Sequence, residues 1–198
     1  MAAPIDFWFE FASTYSYPAV MRLDALAEAA GVSVRWRPFL LGPIFKAQGL
    51  DNSPFNLFPL KGQYMWRDVE RICGALELPF ARPGIFPQNG LLAARVALLA
   101  LDQPWGKDFC RAVYRAQFAE GGNIGEPRVI RDVLLKLHQD ADVVLGQAEA
   151  DDNKAKLRAQ TEEALRRGIF GAPSFVVGEE LFWGNDRLEP ALAWAKRS

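Results

Sequence analysis

The sequence predicts an α/β fold whose small sheet is divided into two halves by a large all-helical insertion, and three observations carry that prediction. Near the N-terminus, Ile5, Phe7, Phe9 and Phe11 alternate with Asp6, Trp8 and Glu10, a period-two strand pattern that runs directly into helical spacing at Val20, Leu23, Leu26, Ala27 and Ala30. From Lys61 to Ala150 every periodic stretch has helical spacing. Near the C-terminus, two short β-prone runs flank Gly178-Glu-Glu180 and a last helical pattern follows from Leu188.

The first strand has a nearly all-aromatic face and is expected in the sheet interior. Pro18 falls in the first turn of the following helix, where its missing N–H costs nothing. Ser13, Thr14 and Ser16 therefore occupy a strand-to-helix junction. The first N–H groups of a helix lack intrahelical partners and carry the positive end of its dipole, so an anion, a thiolate included, is stabilised there. Plain capping by Ser13 or Thr14 is the other reading of the same residues. The helix ends near Gly31, and Val32 to Phe39 alternates again, completing a parallel β-α-β unit with a right-handed crossover. Leu40 to Pro59 is turn-rich, with a short helix around Ile44 to Ala47, and irregular stretches of this length are often functional.

One helical face from Lys61 is marked by Tyr64, Met65, Val69, Ile72, Leu76 and Leu78, and Pro79, Pro83, Gly84, Pro87 and Gly90 then break the chain. Helices are expected over Leu91 to Leu101, Gly106 to Ala119, Pro127 to His138, Val143 to Ala150 and Asp152 to Arg167, the last closed by basic residues and Gly168. A tight turn and a short strand within Ile169 to Val177, a second strand at Leu181 to Trp183, a turn at Gly184 to Arg187 and a helix over Leu188 to Ala195 complete the chain. The order is that of a thioredoxin-like sheet, formed by residues 1–60 and 151–198, with residues 61–150 as the helical insertion. Such a fold brings the start of the first helix to the turn before the third strand, making Ser13 and Pro173 neighbours.

Composition narrows the function classes. The 198 residues, half of them hydrophobic, suffice for one substantial core. A net charge of −1 without a dense basic run argues against nucleic acid or an anionic membrane as partner. No apolar run reaches the ~20 residues of a membrane span and the N-terminus reads as a strand, so a cytoplasmic protein is expected. Cys73 and Cys110 read as buried free thiols, and one histidine, His138, with no cluster at ligand spacing argues against a metal site. Trp8, Trp36, Trp66 and Trp183 are candidates for an aromatic pocket, although at least two are expected in the core or in a subunit contact.

Four segments carry a family resemblance. Phe9-Glu-Phe-Ala-Ser-Thr-Tyr-Ser-Tyr17, Lys61-Gly62, Phe170-Gly-Ala-Pro-Ser-Phe-Val176 and Trp183-Gly-Asn-Asp-Arg-Leu188, in this order and spacing, resemble the 2-hydroxychromene-2-carboxylate isomerases and the kappa-class glutathione transferases. The similarity spans essentially the whole chain. It implies a DsbA-like thioredoxin fold, bound glutathione and a homodimer.

It also implies roles for individual residues. Ser13 matches the catalytic serine, whose hydroxyl donates to the glutathione sulfur, and Pro173 matches a cis-proline that leaves the backbone of Ala172 facing the cysteinyl unit. Asn185 and Asp186 match positions for the γ-glutamyl end, and Asn52 and Lys61 match further tripeptide contacts. Asp68 and Arg187 match positions that reach the partner's glutathione across a dimer. Read without the resemblance, Asn185-Asp186 is an Asx turn, Lys61 a solvated helix-start lysine and Asn52 a turn residue. Thr14 stands where the family has proline, which removes rigidity at the helix start.

The activity implied is glutathione-dependent cis-trans isomerisation of a small aromatic or unsaturated acid in aromatic catabolism, by reversible thiolate addition. Kappa-like glutathione transfer and non-catalytic glutathione binding by a dimer are the alternatives. Disulfide exchange is excluded, because Ser13-Thr-Tyr-Ser16 stands where Cys-x-x-Cys is required.

Overall fold

The computed structural model describes residues 2–197. Its sheet has the order β2-β1-β3-β4, formed by β1 (Ile5–Phe9), β2 (Val34–Pro38), β3 (Ser174–Val177) and β4 (Glu180–Trp183). β1 pairs parallel with β2 and antiparallel with β3, and β3 pairs antiparallel with β4. β1 is thus interior, and all five of its residues are buried. Its aromatic face stacks along the sheet, with Phe7 5.2 Å from Phe9 and 5.3 Å from Phe175 across the β1–β3 pair. Fully burying one such side chain contributes ~1.5–3 kcal/mol, so this row anchors the fold.

Helix α1 (Ser16–Ala30) ends at Gly31, whose φ of 65° is the left-handed closing conformation expected of glycine. The turn-rich segment holds two short helices, α2 (Leu41–Ala47) and α3 (Pro54–Leu57). The second was not foreseen; Ser53 caps it by accepting the Phe55 N–H at 3.3 Å, and Pro54 starts it.

The regular elements that follow are all helices, α4 (Pro59–Ala75), α5 (Leu91–Ala100), α6 (Gly106–Phe118), α7 (Pro127–Lys136) and α8 (Ala141–Ala148). α9 (Asp151–Arg166) leads back to β3, and α10 (Leu188–Ala195) closes the chain. These helices and the sheet share one core, in which Phe9, Phe11 and Tyr17 pack with Phe109, Tyr114 and Phe118 of α6. A second, smaller core on the opposite sheet face joins Trp8 and Val176 to Ile44, Ala164 and Ile169. Trp8, Trp36 and Trp66 are buried, whereas Trp183 is half exposed.

α3 and α4 approach so closely at Gly62 that an added Cβ would lie 2.2 Å from the Phe55 carbonyl oxygen. Because the obstacle is backbone, Gly62→Ala is expected to cost ~1–3 kcal/mol and lower the melting temperature by roughly 2–4 °C per kcal/mol. A thermal scan showing no shift would mean that α3 moves aside freely.

Candidate functional site

The junction between β1 and α1 is held from both sides. The Ser13 N–H donates to the Glu10 carbonyl at 2.9 Å. The Ser13 hydroxyl donates to the Ala172 carbonyl at 2.9 Å and accepts the Ser16 N–H at 3.3 Å. Ser13 is thus a helix-start cap and also the bridge from that start to the turn before β3. The Ala172–Pro173 bond is cis. The next residues lock the turn, since the Ser174 hydroxyl donates to Gly171 O at 2.8 Å and the Gly184 N–H donates to Pro173 O at 2.9 Å. Gly171 leaves room for the Trp183 indole, because a Cβ there would meet its Nε1 at 2.4 Å.

That last bond carries the site onward to the 3-10 turn Asn185–Arg187. Asn185 is buried and accepts from Arg22 of α1 through its carbonyl at 2.7 Å and its Oδ1 at 3.2 Å. Arg22 also pairs with Glu189. Asp186 is 71% exposed, 3.3 Å from the Arg187 guanidinium, and its carboxylate bends back over Gly184, where a Cβ would lie 2.6 Å from Oδ1. Ser13, Ala172, Pro173, Asn185 and Asp186 therefore form one continuous edge tied together by hydrogen bonds.

The other residues lie on a second wall, built by α3 and α4. The Oδ1 of Asn52 accepts from the Ser53 N–H at 2.7 Å and the Asn56 amide at 3.1 Å. The Lys61 ammonium sits 4.8 Å from the Phe58 ring centre and forms no ion pair among the described residues. The two walls meet through Tyr15, whose ring lies 6.2 Å from Phe55 and whose hydroxyl donates to Asp68 at 3.0 Å. Asp68 also accepts from Arg71 at 3.2 Å, so its carboxylate is engaged within the chain. Burial and this carboxylate push the Tyr15 phenol upward, so it stays a neutral donor.

Sequence reasoning passed over Glu10, Tyr15 and Arg22. Glu10 is 8% exposed, its carboxylate accepts the Ala12 N–H at 3.2 Å, and it lies under Gly90, where a Cβ would approach its Oε1 to 2.7 Å. Burial without a cation raises its carboxyl to about 7, opposed in part by that N–H. An acid at the end of a strand with an aromatic face was the visible signal; no local pattern marks Arg22. Burial pushes both Cys73 and Cys110 upward, so neither thiol is poised as a nucleophile. Among the described residues there is no metal-ligand cluster and no helix long and apolar enough to cross a membrane.

A DSBA-like thioredoxin domain model matches residues 4–192. The 2-hydroxychromene-2-carboxylate isomerase of Sphingobium xenophagum is 31% identical over 191 residues, 96% of each chain. Human glutathione S-transferase kappa 1 is 27% identical, over 93% of this chain and 87% of its own. Among solved structures, a 2-hydroxychromene-2-carboxylate isomerase superposes with a TM-score of 0.88 at 25% identity, covering 98% of this chain and 94% of its own. A probable DsbA oxidoreductase of Streptomyces coelicolor reaches 0.77 at 18% identity, over 99% of this chain and 91% of its own, and shares the fold. The chain belongs to the DsbA-like thioredoxin family and, within it, to the group of 2-hydroxychromene-2-carboxylate isomerases and kappa-class glutathione transferases. It is an enzyme of this glutathione-related isomerase or transferase kind.

Proposed function

We propose that the Ser13–Ala172 edge binds glutathione and that the protein is a cis-trans isomerase of the 2-hydroxychromene-2-carboxylate type, acting in aromatic catabolism. The observation that carries this reading is the Ser13 hydroxyl bonded to the Ala172 carbonyl across a cis-proline turn at the start of α1.

The residues fit the tripeptide chemically. Asp186 offers an exposed carboxylate for an ammonium, and Lys61 an unpaired cation for a carboxylate. The backbone of Ala172 offers strand-like pairing to the cysteinyl unit. When bound, glutathione supplies a thiolate able to add reversibly to a conjugated carbon. Ser13 has one hydroxyl proton, so donating it to sulfur means releasing the Ala172 carbonyl, which is then free to accept the cysteinyl N–H. The exchange conserves hydrogen bonds. Ser13 thereby holds the nucleophile without becoming it.

We assign the acceptor to the ~280 Å³ groove lined by Phe55, Gln63, Trp66 and Arg82, which shares Phe55 with the Tyr15 contact. Phe55 and Trp66 suit an aromatic ring, and Arg82, 4.8 Å from the Trp66 ring centre, suits an acid group. Transfer, as in the kappa relatives' names, differs only in whether an adduct leaves the site. We also read the protein as a homodimer, supported by the exposed Leu60 and Tyr64 on the helix that carries Asp68 and the exposed Phe58 just before it. The two free thiols suit a cytoplasmic setting.

The test is an ultraviolet difference titration of the protein with glutathione at neutral pH. Saturable binding with thiolate absorbance is expected. Absence of binding at millimolar glutathione would remove the cofactor and the activity together.

A further inference from the structure

Arg22 lies on the helix that Ser13 opens, yet its contacts lie at the opposite end of the candidate site. Its side chain is 20% exposed, and its charge is already met by Glu189. It is therefore not a spare counter-ion for a ligand. Its Nη2 donates both to the Asn185 carbonyl and to Asn185 Oδ1, at 2.7 and 3.2 Å.

A guanidinium can only donate. The amide oxygen of Asn185 must therefore face Arg22, which leaves its NH2 group turned away. That group can also only donate, so toward a ligand Asn185 recognises an acceptor. The adjacent Asp186 presents the complementary acceptor, an exposed carboxylate.

We infer that Arg22 is a positioning residue: it sets the Asn185 amide so that the 185–187 turn recognises the α-carboxylate of a γ-glutamyl group, beside the ammonium taken by Asp186. This rests on the glutathione reading above. The same contact joins the sulfur end and the γ-glutamyl end of the site to one helix, since α1 begins at Ser16 and carries Arg22. The two halves of an α-amino acid head group, a donor and an acceptor on one carbon, are thereby matched by two consecutive residues.

The experiment is calorimetric binding of two peptides, glutathione and 4-aminobutyryl-cysteinylglycine, which lacks the α-carboxylate but keeps the amine and the thiol. Arg22→Met is expected to weaken glutathione about tenfold while leaving the truncated peptide unchanged within about twofold, the coupling expected of one specific contact. Arg22→Lys also only donates and is expected to recover most of the glutathione affinity. Equal weakening of both peptides by Arg22→Met, or none, would overturn the inference by showing a general structural role or no role. If Arg22→Met does not fold, Asn185→Asp gives the same reading. Its carboxylate still accepts from Arg22 but cannot donate, so it should lose glutathione and keep the truncated peptide, and retention of both would overturn the inference. Wild-type protein that binds neither peptide overturns the glutathione reading itself, an outcome separate from selective failure in the variants.

Discussion

Replacing Ser13 by alanine is expected to abolish turnover while leaving glutathione binding nearly intact. The hydroxyl is a side-chain donor that the structure fixes at the helix start, 2.9 Å from Ala172 O. A hydrogen bond to a charged acceptor contributes ~1.5–3 kcal/mol, which returns the thiol by ~1–2 pH units toward its ordinary value near ~8.5. Loss of such a donor at the reacting atom lowers turnover by ~10²–10³-fold. The other contacts proposed for glutathione, through Ala172, Asn185, Asp186 and Lys61, do not involve this hydroxyl, so affinity should change only a few-fold at most. The paired readout is thiolate absorbance at saturating glutathione together with a binding isotherm. A thiolate signal that survives in Ser13→Ala would assign activation to the helix start alone, and a variant with unchanged turnover would remove Ser13 from the chemistry.

Glu10→Gln is expected to stabilise the protein at alkaline pH and to leave it unchanged near pH 4.5. The buried carboxyl is raised from 4.5 to about 7 because no cation faces it. The folded state therefore holds a proton that the unfolded chain releases between those values. Stability from the neutral acid is complete below pH 4.5 and is lost as pH rises through about 7. Each unit of separation corresponds to ~1.4 kcal/mol, so the loss amounts to about 3 kcal/mol above neutrality. Glutamine keeps an oxygen for the Ala12 N–H and has nothing to ionise. Denaturant unfolding of both proteins at pH 4.5 and 8 measures this directly. Curves that stay parallel at both pH values would show that Glu10 is ionised in the fold.

The element order was legible in the chain because its signals are local. The alternation at Ile5 to Phe11 marked an interior strand, and β1 is flanked by β2 and β3. The breaks at Gly121-Gly122 and Gly125-Glu-Pro127 separated helices that occur as α6 and α7. α3 escaped notice because four residues are too few to show a period, and its cap, Ser53, resembles any other turn serine.

The candidate site divides along the same line. Ser13, Pro173 and the Asn185-Asp186 turn could be named because their short motifs resemble those of a known family, and Ser13 alone was also marked by its place at a strand-to-helix junction. Asp68 shows where such reading stops, because its bond to Tyr15 spans 53 positions and leaves no trace in the sequence around it.

By itself, then, the sequence determined the strands and helices, the opening of α1 at a serine and the absence of a Cys-x-x-Cys pair. These follow from side-chain periodicity and chemistry within a few residues. Only the tertiary structure decided that Ser13 meets Ala172 from 159 positions away, that Arg22 donates to the Asn185 amide oxygen, and that Glu10 is sealed beneath Gly90. Those facts depend on which surfaces the sheet order and helix packing bring within hydrogen-bond range, and such distances are set by the whole core.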